Sequence, residues 1–385
     1  MNKILTKQLS DQIVNWWAFF MEAEYKIFEY FMHAIDFNVV EFMQDHLQCI
    51  NNNLMWEFGP AVSKKGYRLV ITPEFRRDLR PLVKAILENA PELSNWEFYD
   101  YRLSESFESA KLIVEAKTGY DLPEVYFLSK RNDFNLIDVT FLYLNLKDEA
   151  AIKVALHQSA LMVEHLLGEK VFDTWIGAIE IGDHFPEDES HHPISQLNNW
   201  IENEISTIKN ALPGNCFYER SGKNELTLYE LEPDGKAAYP RQEDMFLGKT
   251  VCVPLWENIK SNYSFNSERF SKTGEIFCYI KIYQSDCVQK ENIETKSPIE
   301  EAVDNVLISS KLGCTIGGGI GLQYTYIDIA LVDLDKGIAA IKRVLQERNV
   351  PKNSWILFFD SELEAEWIGI WDDSPAPPMP DFERK

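Results

Sequence analysis

Six carboxylates and two indoles crowd the stretch FFDSELEAEWIGIWDD, residues 358–373: Asp360, Glu362, Glu364, Glu366, Asp372 and Asp373 beside Trp367 and Trp371. Carboxylates this dense can pair for proton transfer, or gather a cation. Interleaved with tryptophan they also suit a surface that captures a basic partner. The indole serves as anchor there and the carboxylates meet Lys or Arg. That reading makes all eight residues a candidate partner-binding surface, at a strand end and beyond it.

Two histidine groups could do other chemistry. His184, His191 and His192 stand with Asp183, Glu187, Asp188 and Glu189 in DHFPEDESHHP. Imidazole and carboxylate are donors for zinc and similar ions. Their spacing fits no defined ligand pattern, so a solvated linker is expected. His157 and His165 share one predicted helix with Glu164, two turns apart and nearly on one face. No G-x-S-x-G elbow, H-E-x-x-H helix or kinase signature occurs. The six cysteines stand singly, with no C-x-x-C pair. No catalytic set, metal set or cofactor set is assigned.

The glycines of GCTIGGGIGLQYTYIDIA, Gly317 to Gly319 and Gly321, could cradle a phosphate on bare backbone N–H groups. A phosphate-binding glycine run opens a helix or ends in Gly-Lys-Ser/Thr. This one leads into LQYTYIDIAL, rich in β-branched and aromatic residues and strand-like. The expectation is the turn or bulge of a β-hairpin.

These residues need elements to position them. Residues 10–50 predict two helices, the first with a stripe of Trp16, Phe20, Ile27, Phe31 and Ile35 that should pack on its own domain. The stretches 54–102 and 313–361 then read alike. When Trp96 is set on Trp355, Tyr67 falls on Tyr326, and Leu79, Leu82 and Ile86 fall on Ile338, Ile341 and Leu345. Each follows a helix and runs strand, strand, helix, strand. Adding EIFCYIKIY (275–283) to the second gives β-α-β-β-α-β, the ferredoxin-like order. The expected class is α+β, with two pseudo-repeated ferredoxin-like modules and a mixed middle region. The expected divisions are an N-terminal α/β module, 1–183, a linker, 184–193, and a C-terminal α+β module, 194–385. The ferredoxin-like unit would lie at about 275–360.

Against 38 Lys and Arg stand 61 Asp and Glu, a net charge of -23 with a pI near 4.8. Such a surface repels phosphate backbones and anionic lipids and meets basic proteins quickly. No apolar run reaches the 18 residues of a membrane span, and the start lacks a signal peptide's apolar core. Nucleic acid and membrane are therefore excluded as expected partners, and a cytoplasmic location is expected.

The phrases LVITPEFRRDLRPLVKAILENAPELSNWEFYDYR, VEHLLGEKVFDTWIGAIE and SWILFFDSELEAEWIGIWDDSPAPP together resemble a group of acidic bacterial α/β proteins. That group is similar to the immunity partners of polymorphic toxins. The resemblance covers most of the chain and implies a toxin as partner, bound so that its active site is occluded. It implies no catalytic residues. The alternative from the residues alone is a metal-dependent hydrolase assembled from distant histidines and carboxylates. A ligand-sensing module is a third possibility.

Overall fold

The computed structural model describes residues 7–143, 146, 148–182, 184, 190–220, 225–233, 239–284 and 297–380. Its elements form three sheets with helices, the mixed α+β class that the sequence predicts.

The first sheet carries the aromatic N-terminus. Helices α1 (Lys7–Phe31) and α2 (Val39–His46) precede β1 (Met55–Pro60), β2 (Tyr67–Thr72), α3 (Arg80–Glu88) and β3 (Trp96–Tyr99). The strands lie in chain order, β1 antiparallel and β3 parallel to β2. Trp16, Trp17, Phe20 and Ile27 of α1 are buried against Trp96. The Trp17 indole donates 2.7 Å to the Ile86 carbonyl, which fixes α1 against α3. Pro81 falls in the first turn of α3, where no backbone donor is required.

The second sheet is ordered β6-β5-β4-β7. Its elements are α4 (Phe107–Thr118), β4 (Tyr126–Arg131), β5 (Ile137–Leu142), α5 (Glu149–Leu167), α6 (Glu169–Trp175), β6 (Ile176–Gly182), β7 (His192–Pro193) and α7 (Leu197–Ala211). His192 and Pro193, at the end of the stretch read from composition as a linker, belong to this sheet. His192 pairs with Phe127 and Pro193 with Tyr126. Ile194, Leu197, Ile201 and Ile208 then join the core of Phe127, Phe141 and Met162. Packing therefore ties 192–211 to the strands before it. The apolar spacing of ISQLNNWIENEI marks the helix face that packs on this core.

The third sheet is antiparallel and ordered β14-β13-β10-β12-β11-β9-β8. It contains β8 (Thr227–Glu230), β9 (Met245–Thr250), β10 (Ile276–Tyr283), β11 (Gly313–Gly321), β12 (Tyr324–Leu331), β13 (Trp355–Phe358) and β14 (Trp367–Gly369). Its helices are α8 (Val253–Lys260), α9 (Pro298–Ser309) and α10 (Leu334–Glu347). Strand alternation splits two cores. Cys278, Ile280, Ile327 and Ile329 join the cluster that includes Leu307, Ile341 and Leu345 of α9 and α10. Phe277, Tyr279, Tyr324 and Tyr326 face an aromatic layer with Phe265, Phe270 and Trp355.

The two stretches that look alike in sequence share element order and differ in sheet wiring. Trp96 and Trp355 each begin a strand and are buried. In the first sheet β2 pairs directly with β3. In the third, β10 lies between β12 and β13, giving β13-β10-β12-β11.

Gly317 to Gly319 lie inside strand β11 and Gly321 ends it; of the turn or bulge expected, the pairing shows register shifts between Thr315 and Gly317 and between Ile320 and Gly321. A Cβ on Gly317 or Gly319 would meet the carbonyl oxygens of Lys249 or Leu247 at 2.4 Å. These contacts leave no room for side chains, which explains the run without any ligand.

Candidate functional site: an acidic cleft beside the first and third sheets

The chain leaves β13 directly into the acidic segment, and its first carboxylate turns inward. Asp360 is buried and accepts from the Ser267 backbone N–H at 2.6 Å and from the Ser267 hydroxyl. Burial pushes its carboxyl up to about 6, although the Ser267 bonds and nearby Arg269 favour the charged form. Glu362 lies within the 3-10 turn Ser361–Leu363 that follows and accepts 2.6 Å from the Tyr101 hydroxyl. Burial, then Glu362, raises the Tyr101 phenol far above its ordinary range.

Tyr101 links the acidic segment after β13 of the third sheet to Arg80 of α3. Its ring lies 4.0 Å from the Arg80 guanidinium. Arg80 in turn donates to Glu169 at 2.7 Å, to Asp173 at 3.2 Å and to the Asp100 carbonyl at 2.8 Å. The Thr72 hydroxyl donates 2.6 Å to the same Glu169 oxygen. Arg80 and Glu169 are both buried, so each charge depends on the other for compensation.

This network floors a cavity of about 530 Å3 between α3, the start of α6, the 266–276 loop and the 360–363 turn. Six carboxylates line it, Glu88, Asp100, Glu268, Glu275, Asp360 and Glu362, against three cations, Arg80, Lys84 and Lys170. Arg80 is already neutralised by Glu169 and Asp173. The cleft is thus net negative. Glu88, Lys84 and Glu268 stand exposed at its mouth, while Glu275 is buried and holds the Phe217 N–H at 2.7 Å.

The remaining candidates of the acidic segment lie outside the cleft, most of them with partners in their own chain. Glu364 pairs with Arg241 and Asp373 with Lys352, while Asp372 is exposed with Lys342 at 3.8 Å. Glu366 closes a turn through its backbone to Leu363 at 2.9 Å. Trp367 opens β14 opposite Leu357. The Trp371 indole donates 2.9 Å to the Val350 carbonyl and packs against the α9–α10 core. The structure brings Asp360 and Glu362 together with Arg80, Tyr101, Glu88 and Glu268, which no sequence spacing connects. Only the repeated charge of RDLRP and YDYR hinted at an ionic site near α3.

The histidines do not gather. His157 is exposed and His165 is buried beside Lys117 Nζ, 3.2 Å away. Eight helical residues leave about 80° between them, enough to put one in and one out. Burial, then Lys117 and Arg102, hold His165 down at about 4. His192 stacks on Trp200, 3.8 Å between centroids, while His191 contacts Tyr126. Among the described residues no three His, Cys, Asp or Glu are placed to hold a metal ion. Asp183, Glu187, Asp188 and Glu189 lie outside the described residues.

A second buried polar group lies under the third sheet and also escaped sequence analysis. Gln242 donates 2.8 Å to Asp328 and accepts 3.3 Å from Lys260. Asp244 accepts from the backbone N–H groups of Gln323 at 2.7 Å and Tyr324 at 3.0 Å, and from the Tyr326 hydroxyl. Lys281 donates to the carbonyls of Tyr239 and Arg241. Burial pushes Asp328 up to about 7 and Lys281 down to about 8. These bonds fasten residues 239–245 to the sheet; their donors and acceptors are largely spent on the chain itself.

Compared with known proteins, the chain matches no family model, no curated protein and no solved structure. Among the described residues no helix is long and apolar enough to cross a membrane.

Proposed function

We propose that the protein is a binding protein of the immunity type, which neutralises a toxin by covering the toxin's active site with an acidic face. The observation that carries this reading is the cleft, six carboxylates against three cations, on a chain of net charge -23. Such a face is drawn to a basic surface from a distance and rejects acidic competitors. A toxin that acts on nucleic acid or nucleotides offers such a surface. The contact is centred on the cleft mouth, with Glu88 and Glu268. The exposed Asp372 extends the same charge along the outer strands. The common element order of 39–99 and 298–358 is read as a pseudo-repeat of ferredoxin-like type, one copy of which lacks the strand equivalent to β10. A cytoplasmic location suits the role.

The test is recovery of the tagged protein from its own cells in low salt, followed by elution in high salt. A stoichiometric basic protein that arrests growth alone, and not when co-expressed with this chain, is expected. A co-eluting protein without toxicity, or one that is acidic, overturns the reading. The cavity itself favours one second reading, a small-molecule sensor, because about 530 Å3 is the size of a small-ligand site. Native mass spectrometry separates the two: a bound small mass in the purified chain favours the sensor.

A further inference from the structure

Helix α1 carries two apolar faces, and one of them is uncovered. The first, Ile13, Trp16, Trp17, Phe20, Ala23 and Ile27, is buried on the first sheet. The second is Val14, Ala18, Met21, Tyr25 and Phe28, carried on by Met32 just past the helix end. Their spacings are four, three, four, three and four residues, an unbroken heptad seam. Val14 is 57% exposed, Met21 47%, Tyr25 67% and Met32 60%; Ala18 is exposed and Phe28 half-buried. Ile35 and Val40, beyond the helix end, are exposed apolar residues as well. A stripe about 27 Å long with large side chains in water exceeds the scattered exposure normal for a monomer.

The rim of the seam identifies its occupant. Asp11, Glu22 and Glu29 flank it on one side, and Glu24 on the other accepts from the Trp96 indole at 2.9 Å. The cations of the helix are Lys7, at its first residue, and Lys26, outside the rim. A second copy of this chain would set Glu22 and Glu29 against their own kind, between molecules each of net charge -23. A helix with an aliphatic seam and Lys or Arg beside it satisfies both the apolar stripe and the rim. We infer that the outer face of α1 is a docking site for a basic amphipathic helix of the partner protein. This rests on the neutralising role proposed above and adds a second contact to the cleft. The two lie on adjoining elements, because Trp17 of α1 is bonded to α3, whose Lys84 and Glu88 border the cleft.

The probe is a labelled helical peptide of about three heptads, with Leu along the seam and Lys beside it, titrated against the full chain. Controls are a peptide of equal composition with the seam scrambled, and one with Glu in place of Lys. The patterned Lys peptide should bind at least tenfold more tightly than either. Met21→Glu with Tyr25→Glu should weaken it at least tenfold, and Met32→Glu alone severalfold. All three positions are exposed, so circular dichroism and melting temperature should stay those of the wild type. Equal binding of the scrambled peptide, or undiminished binding by the folded variants, overturns the assignment. So does a wild-type dimer in sedimentation that the double variant abolishes, which would make a second copy the occupant. A basic toxin captured equally by wild type and double variant defeats the α1 site and leaves the neutralising role standing. A chain with no basic partner that still binds the patterned peptide defeats the role alone.

Discussion

Asp328 sits in the middle of β12, buried and accepting one side-chain hydrogen bond from Gln242, so burial disfavours its charged form. Between its ordinary 3.8 and about 7 the folded chain holds a proton that the unfolded chain has released. Its contribution to stability therefore falls as pH rises through that window. His165 acts oppositely. Held at about 4 against an ordinary 6.5, it is neutral in the fold while the unfolded histidine is charged, so its contribution rises with pH from 4 to 6.5. Comparison with Asp328→Asn cancels the histidine and isolates the aspartate. Relative to wild type, the variant should gain stability from pH 4 to pH 8, with an upper bound of roughly 4 kcal/mol at about 1.4 kcal/mol per pH unit. Urea denaturation at both pH values measures it, and a difference independent of pH would show that Asp328 is ionised in the fold. At this scale the sequence was least legible. Asp360 and Glu362 were found as carboxylates, but burial and partners decide their roles, and Tyr101 lies 261 residues from Glu362.

At the scale of elements, strand β11 separates two demands for glycine. Gly318 has φ +143° and a Cβ there would stand 2.1 Å from the Tyr326 carbonyl oxygen. Gly119, past the end of α4, has φ +74° and open space around it. Gly119→Ala should cost about 1 kcal/mol, for backbone conformation alone. Gly318→Ala should cost roughly 3 kcal/mol or more, because the neighbouring strand must move as well. Thermal melts of the two variants check this, and equal losses would mean that the strands part easily. The sequence pointed to a turn or bulge of a β-hairpin for Gly317 to Gly319 and Gly321; they lie within β11 of the β11–β12 hairpin, with a register shift beside Gly317. The carbonyls that require them belong to β9 and β12, and such cross-strand neighbours leave no local signal. Periodicity was legible where one core imposes it: the Trp16–Phe20–Ile27 stripe is buried as expected, although Ile35, 42% exposed, falls beyond the helix. At the end of 184–193 composition gave no sign of a strand, yet His192 and Pro193 pair with β4.

Across the whole molecule, the excess of 23 negative charges was legible from composition, but not its location. Much of the acidic segment proved to be used internally, by Ser267, Tyr101, Arg241 and Lys352. What remains for a partner at the cleft mouth is Glu88 and Glu268, both exposed, the latter 3.6 Å from Lys209. An exposed pair of that kind contributes only about 0–1 kcal/mol to folding. Reversing both, Glu88→Lys with Glu268→Lys, should therefore leave the melting temperature nearly unchanged. The same reversal shifts the charge of the proposed contact by four. Association in 50 mM salt should slow by at least tenfold, and the difference from wild type should shrink towards 500 mM, where the screening length falls below about 5 Å. Dissociation should change less than association, since rim charges act mainly on encounter. Stopped-flow association with the captured partner separates the two rates. A rate that ignores the reversal at low salt would move the contact off the cleft, and the exposed seam of α1 would then have to hold the partner by itself.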